Sequence, residues 1–154
     1  MDYSQYEKVF GDLTTRWRLA ARFAFGKLVP YYDFSYLGYN EYVRGHSNDI
    51  REGYNTAIVS FEMSYPVVKE FDFSIKLPLL PRSLTSARIG LFITAFADAG
   101  NAFNSNYRFH LNNFYSGYGT GITVLVLPYN AIRFEYAINE AGKGEFLIGT
   151  GFAF

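Results

Sequence analysis

Bulky apolar residues alternate with small or polar ones along most of the chain. The clearest stretch runs from Glu145 to Phe154. Phe146, Ile148, Thr150, Phe152 and Phe154 fall on one side, and Leu147, Gly149, Gly151 and Ala153 on the other. Strand side chains point to opposite faces with period two, so this stretch predicts a strand with one bulky and one small face. Arg18 to Gly26 repeats the pattern, with Leu19, Ala21, Phe23 and Phe25 opposite Ala20, Arg22, Ala24 and Gly26. From Thr56, an apolar face of Ala57, Val59, Phe61, Met63 and Tyr65 opposes Ile58, Ser60, Glu62 and Ser64. Arg88 to Asp98 sets Ile89, Leu91, Ile93, Ala95 and Ala97 against Gly90, Phe92, Thr94, Phe96 and Asp98. Tyr118 to Leu127 and Ile132 to Asn139 alternate in the same way, while Tyr6 to Trp17 alternates poorly. The expectation is about seven strands, most near the ~9–11 residues of a tilted membrane strand.

The breaks in the rhythm place the connections. Residues 27–55 are rich in Tyr, Gly, Asn and Asp and form one long loop; loops of that length usually carry function. Pro66 is expected to end its strand, because proline cannot donate to a ladder. Residues 67–87 read either as a short extra strand or as an amphipathic connector at a membrane surface. Asp98-Ala99-Gly100-Asn101 reads as a turn before a polar, aromatic loop reaching Asn113. Pro128-Tyr129-Asn130 and Glu140 to Gly144 read as tight turns. Long and short connections thus alternate, as in barrels with short inner turns and long outer loops. The stretch after Pro66 departs from that scheme.

Composition narrows the class. The hydrophobic content is 49%, yet the mean hydropathy is −0.03, so apolar residues are diluted at close range. No run approaches the ~20 apolar residues of a membrane helix. The chain has 14 Tyr and 16 Phe against one Trp, an enrichment that fits the aromatic girdles of a membrane barrel. A bare apolar face and an aromatic strand end invite association in water, whereas lipid covers them in a barrel wall. The expected fold is therefore all-β: part of an antiparallel transmembrane β-barrel occupying residues 1–154. Zero formal net charge leaves no electrostatic footprint for nucleic acid. Absence of cysteine removes disulfides and thiolate metal sites. Met1 is followed by Asp2, Tyr3 and Gln5 rather than by a secretory signal, so an exported protein would carry its signal upstream, and the chain reads as a fragment.

One constellation stands out in the long loop. Tyr42-Val43-Arg44-Gly45-His46 lies at its middle, and Glu62 and Asp98 fall on the inward faces of their strands. Wall carboxylates need a partner or water, and the planar fork of arginine binds carboxylates in bidentate fashion. The expectation is a loop folded back into the lumen, with Arg44 docked against Glu62 and Asp98. The plainer alternative is three separately hydrated charges. Gly117, Gly119 and Gly121 have the wrong spacing for a dinucleotide fingerprint and read as lumen space or sheet curvature. His46 and His110 lack ligand spacing, Ser60 and Ser64 lack a nucleophile motif, and Arg133 and Glu135 read as lumen polarity. No metal site, cofactor or enzymatic activity is expected.

Val43-Arg44-Gly45 in a long loop, the strand carrying Glu62, Phe96-Ala97-Asp98-Ala99-Gly100-Asn101, and a last strand ending in Phe occur here in that order. Together they resemble the carboxy-terminal half of the Omp85 barrel, the bacterial surface antigen D15 family, over about Arg18 to Phe154. The resemblance implies a sixteen-stranded outer-membrane barrel that inserts or translocates other proteins, as BamA-like and TamA-like members do. It implies that Arg44 is held inside by Glu62 and Asp98, and that Gly149, Phe152 and Phe154 form the terminal sorting signal. Leu147 departs from that signal, and His46 stands where an aromatic is commoner. Implied partners are outer-membrane lipid, the remaining barrel strands (from the same natural chain or another) and unfolded outer-membrane or secreted substrates. Assembly lipoproteins are admitted as further partners. Two alternatives remain open: a barrel anchor or export module of a patatin-like or two-partner secretion protein, and a soluble small β-barrel binding domain.

Overall fold

The computed structural model describes residues 1–24, 30, 34–38, 41–74, 86–104, 113–127 and 130–152. The chain is all-β. Its main sheet is built from β1 (Asp2–Phe10), β2 (Leu13–Arg22), β5 (Asn55–Ser74), β6 (Ser86–Phe103), β7 (Tyr115–Leu127), β8 (Asn130–Asn139) and β9 (Gly144–Phe152). These seven strands lie in the order β1-β2-β5-β6-β7-β8-β9, each antiparallel to its neighbours. β1 and β9 are the two edges of this open sheet. Between β2 and β5, the short strands β3 (Ser35–Leu37) and β4 (Arg51–Gly53) pair into a small ribbon.

Three sequence expectations are corrected. Tyr6 to Trp17 is not one strand but spans a hairpin, with Gly11 at φ +56° turning β1 into β2. Alternation fails there because the two arms meet across the turn. Pro66 does not end its strand. β2 begins at Leu13 and pairs no further along β5 than Ser64, so Pro66 lies where β5 is an edge. The ladder to β6 carries a register shift between Pro66 and Val68, and edges and bulges are where proline is tolerated. Asp98-Ala99-Gly100-Asn101 is not a turn either, since β6 runs straight through it to Phe103. Gly100 is required for contact instead: a Cβ there would lie 2.8 Å from Val43 Cγ2. The expected turn at Pro128-Tyr129-Asn130 falls partly outside the described residues, as do Pro78, Pro81 and Phe154.

The two faces of the sheet differ sharply. On one, Trp17, Val59, Ile93, Ile122, Phe134 and Ile148 are exposed. On the other, Glu62, Thr94, Asp98, Thr123, Glu135 and Asn139 are buried. The sheet curls around this polar face. Arg133 of β8 reaches Glu62 of β5 at 2.5 Å, although β6 and β7 lie between those strands. Strand twist alone coils a sheet this way, and glycines in β7 give the concave side room. The small hydrophobic core also lies here. Leu37 and Val43 of the loop pack on Ile58 and Ala102 of the wall, so half of this cluster is loop.

Candidate functional site

The loop after β2 returns over the concave face and plants Arg44 in it. β5, β6 and β8 supply the carboxylates, each at an inward strand position. Arg44 Nε and Nη2 donate to Asp98 Oδ2 and Oδ1 at 2.6 and 2.8 Å, a bidentate fork. The Arg44 backbone N–H also donates to Asp98 Oδ2, at 3.3 Å. Nη1 donates to Glu62 Oε2 at 3.2 Å and to Glu135 Oε1 at 2.9 Å. Its guanidinium carbon lies 3.7 Å from the centroid of the Phe96 ring, within cation–π range. Glu62 accepts from Arg133 through its other oxygen.

The side chains are deeply placed: Arg44 is 11% exposed, Asp98 3% and Glu62 7%. Burial works against charge on Arg44, but the hydrogen bond and charge of Asp98 outweigh it, with the charges of Glu135 and Glu62. The guanidinium pKa is raised above its ordinary value. Two guanidiniums, Arg44 and Arg133, face three carboxylates, Glu62, Asp98 and Glu135. A polar cavity of about 320 Å³ adjoins the cluster, lined also by Arg16 and Arg18. Arg16 Nε is buried without a hydrogen-bond partner among the described residues.

Backbone geometry admits the loop. Asp98 pairs across the ladder with Gly117, and Phe96 with Gly119. A Cβ on Gly117 would lie 1.8 Å from the Arg44 carbonyl oxygen, and one on Gly119 would lie 2.8 Å from the Phe96 ring. Gly45 takes φ +98°, open to glycine and strained for other residues, and packs against Asn139. Val43 is fully buried. Glu145 of β9 accepts the backbone N–H groups of Gly45 and Ser47 through Oε2, at 3.1 and 3.2 Å. Arg51 donates to Asn101 Oδ1 at 2.8 Å. The loop is thus tied to both central and edge strands.

Of the residues singled out from sequence, Val43, Arg44, Gly45, Glu62 and Asp98 meet in one place. Gly149 lies in β9 near Arg133, apart from the Arg44 fork. Phe152 belongs to β9 by its backbone, and Phe154 lies outside the described residues. Sequence reasoning missed Glu135 and Arg133 as partners, Phe96 as the ring beneath the guanidinium, and Glu145 as the loop's backbone acceptor. Inward parity marked Glu135 and Arg133 as facing the lumen but not how far the sheet curls. Among the described residues, no group of three or more His, Cys, Asp or Glu side chains could hold a metal ion. No protein-family model, curated protein or solved structure matches the chain.

Proposed function

We propose that this sheet is part of the wall of a bacterial outer-membrane β-barrel of the Omp85 type, acting in assembly or translocation of other proteins. The observation that carries the reading is a polar face buried under an arginine-bearing loop, while the opposite face exposes apolar side chains. Such an arrangement suits a wall with lipid outside and a plugged aqueous bore inside. A soluble small barrel would place the apolar residues inside instead. The open edges support the remaining part of the reading. Among the described residues β1 and β9 each have a strand on one side only, leaving an edge to be met by further wall strands or by a substrate strand through β-augmentation. Arg44 braces the bore, and the work is mechanical rather than catalytic.

Depletion of the protein in its bacterial host tests this, with fractionation and proteomics of the outer membrane. The expected result is recovery of the protein with the outer membrane and loss of several unrelated barrel proteins. Loss of a single secreted or anchored partner would replace assembly by export. Recovery of the folded protein from the aqueous fraction without detergent would overturn the membrane reading altogether.

A further inference from the structure

The loop is fastened at a second point, distinct from Arg44. His46 is 5% exposed, and its ring stacks on Tyr115 with centroids 4.2 Å apart. Nδ1 lies 2.7 Å from Asp49 Oδ2, and Nε2 lies 2.7 Å from Glu140 Oε2. Asp49 belongs to the same loop, whereas Glu140 opens the turn between β8 and β9. An ionised carboxylate only accepts, so each contact needs an N–H on the ring. Imidazole carries both N–H groups only when protonated.

We propose that His46 is a proton-operated latch holding the loop tip on the β8–β9 turn. With both nitrogens protonated, the ring ties Asp49 to Glu140. After loss of one proton, a ring lone pair faces a carboxylate oxygen and that tie becomes repulsive. Several charged groups surround the ring. Asp49 and Glu140 face the ring directly, and Glu145 binds the adjoining Gly45 and Ser47. Opposing them are Arg51, 3.8 Å from the Tyr115 centroid, and Lys143, which lines a small cavity with His46. Each ring nitrogen thus meets a carboxylate oxygen.

Glu140 is a firm anchor. Burial works to raise its pKa, but the hydrogen bond from His46 and backbone N–H groups, including that of Ser116, outweigh it and hold it below the usual 4.5. The latch accordingly closes with the doubly protonated ring and opens when the ring loses a proton. Arg44 keeps its charge in both states. The loop tip thus loses its bridge from Asp49 to Glu140 and is loosened, still held by Glu145, while the Arg44 fork stays docked.

Nitrogen NMR of the ring and amide hydrogen exchange of the loop test the latch in the folded chain, with His46→Gln assigning the signal against His110. Both ring nitrogens of His46 are expected to be protonated wherever the loop tip is protected. Exchange protection of Ser47–Asp49, corrected for intrinsic rates, is expected to fall about tenfold between about pH 5.5 and about pH 8.5. His46→Gln should abolish that pH dependence, and Glu140→Gln should reduce the protection already present at the acidic end. A loop tip that stays protected while a ring nitrogen is unprotonated, or the same pH dependence in His46→Gln as in the parent, overturns the proposal.

Discussion

The two faces of this sheet are built from one sequence and obey opposite rules. The concave face buries Glu62, Asp98 and Glu135, residue types ordinarily left in water, while the convex face exposes Ile93, Ile122, Phe134 and Ile148. Ionised side chains are seldom buried unless paired, and here each of the three acids has an arginine. No second layer of sheet or helix covers them among the described residues. The cover is the loop, which brings Arg44 as counter-charge and Leu37 and Val43 as the apolar contact. The convex side chains have no such cover. The difference teaches that the polar face is specified in detail, position by position, whereas the apolar face is specified mainly by its period.

Removing the counter-charge breaks the comparison most severely. Arg44→Ala leaves three carboxylates converging on one space. Breaking a buried ion pair from one side costs about 3–5 kcal/mol, because the remaining charge stays uncompensated. Water entering from the adjoining cavity offsets part of this. The expected outcome is undocking of the loop, read as lost exchange protection at Val43–Ser47 and a lower denaturation midpoint. Arg44→Lys restores a point charge but not the fork to Asp98, so it should fall between parent and alanine. A loop that stays protected in Arg44→Ala would show that Val43, Gly45 and Glu145 suffice to hold it.

The convex face is sharpened by a substitution that touches no partner in the concave cluster. Ile122 lies near the middle of β7 and is 47% exposed. If that face meets acyl chains, Ile122→Arg costs about 2–4 kcal/mol at the midplane of a bilayer. On a water-facing surface the same change stays within about 0.5 kcal/mol. Unfolding of the chain from lipid vesicles, compared with the parent, distinguishes these outcomes. A negligible cost in vesicles would place water, not lipid, against the sheet and remove the physical basis of the wall reading.

Face assignment was legible from period two alone, because every second residue keeps its side for the length of a strand. The long loop was equally visible, as a break in that period. Strand lengths were not. Gly100 and Asn101 look like turn residues, yet one clears space for Val43 and the other accepts from Arg51. Pro66 looks like a stop, but β2 no longer flanks it. Arg44, Glu62 and Asp98 could be singled out because they are an arginine at the middle of the long loop and two inward acids. Glu135, Arg133 and Glu145 could not, since their approach depends on the curl of the sheet, which no local pattern encodes. Gly117 carried a partial signal: a glycine ladder in a strand implies a close neighbour, though not which one.

The smallest effect belongs to the rim, where the concave face meets solvent. Glu140 has its pKa held below the usual 4.5, since the hydrogen bonds from His46 and backbone N–H groups outweigh burial. A carboxylate whose folded pKa is depressed contributes stability above its unfolded pKa and loses it as pH falls through the folded value. Its side chain is 44% exposed, so screening keeps the contribution below about 1 kcal/mol. Denaturant midpoints of the parent and Glu140→Gln should therefore differ slightly at neutral pH and converge as pH falls below about 4.5. The gap should also shrink in high salt. Arg44→Ala should behave otherwise at neutral pH, because its deficit arises among groups 3–11% exposed and resists screening. Two deficits with the same salt response would mean that the Arg44 cluster is as wet as the rim, and the contrast between a sealed centre and a solvated edge would collapse.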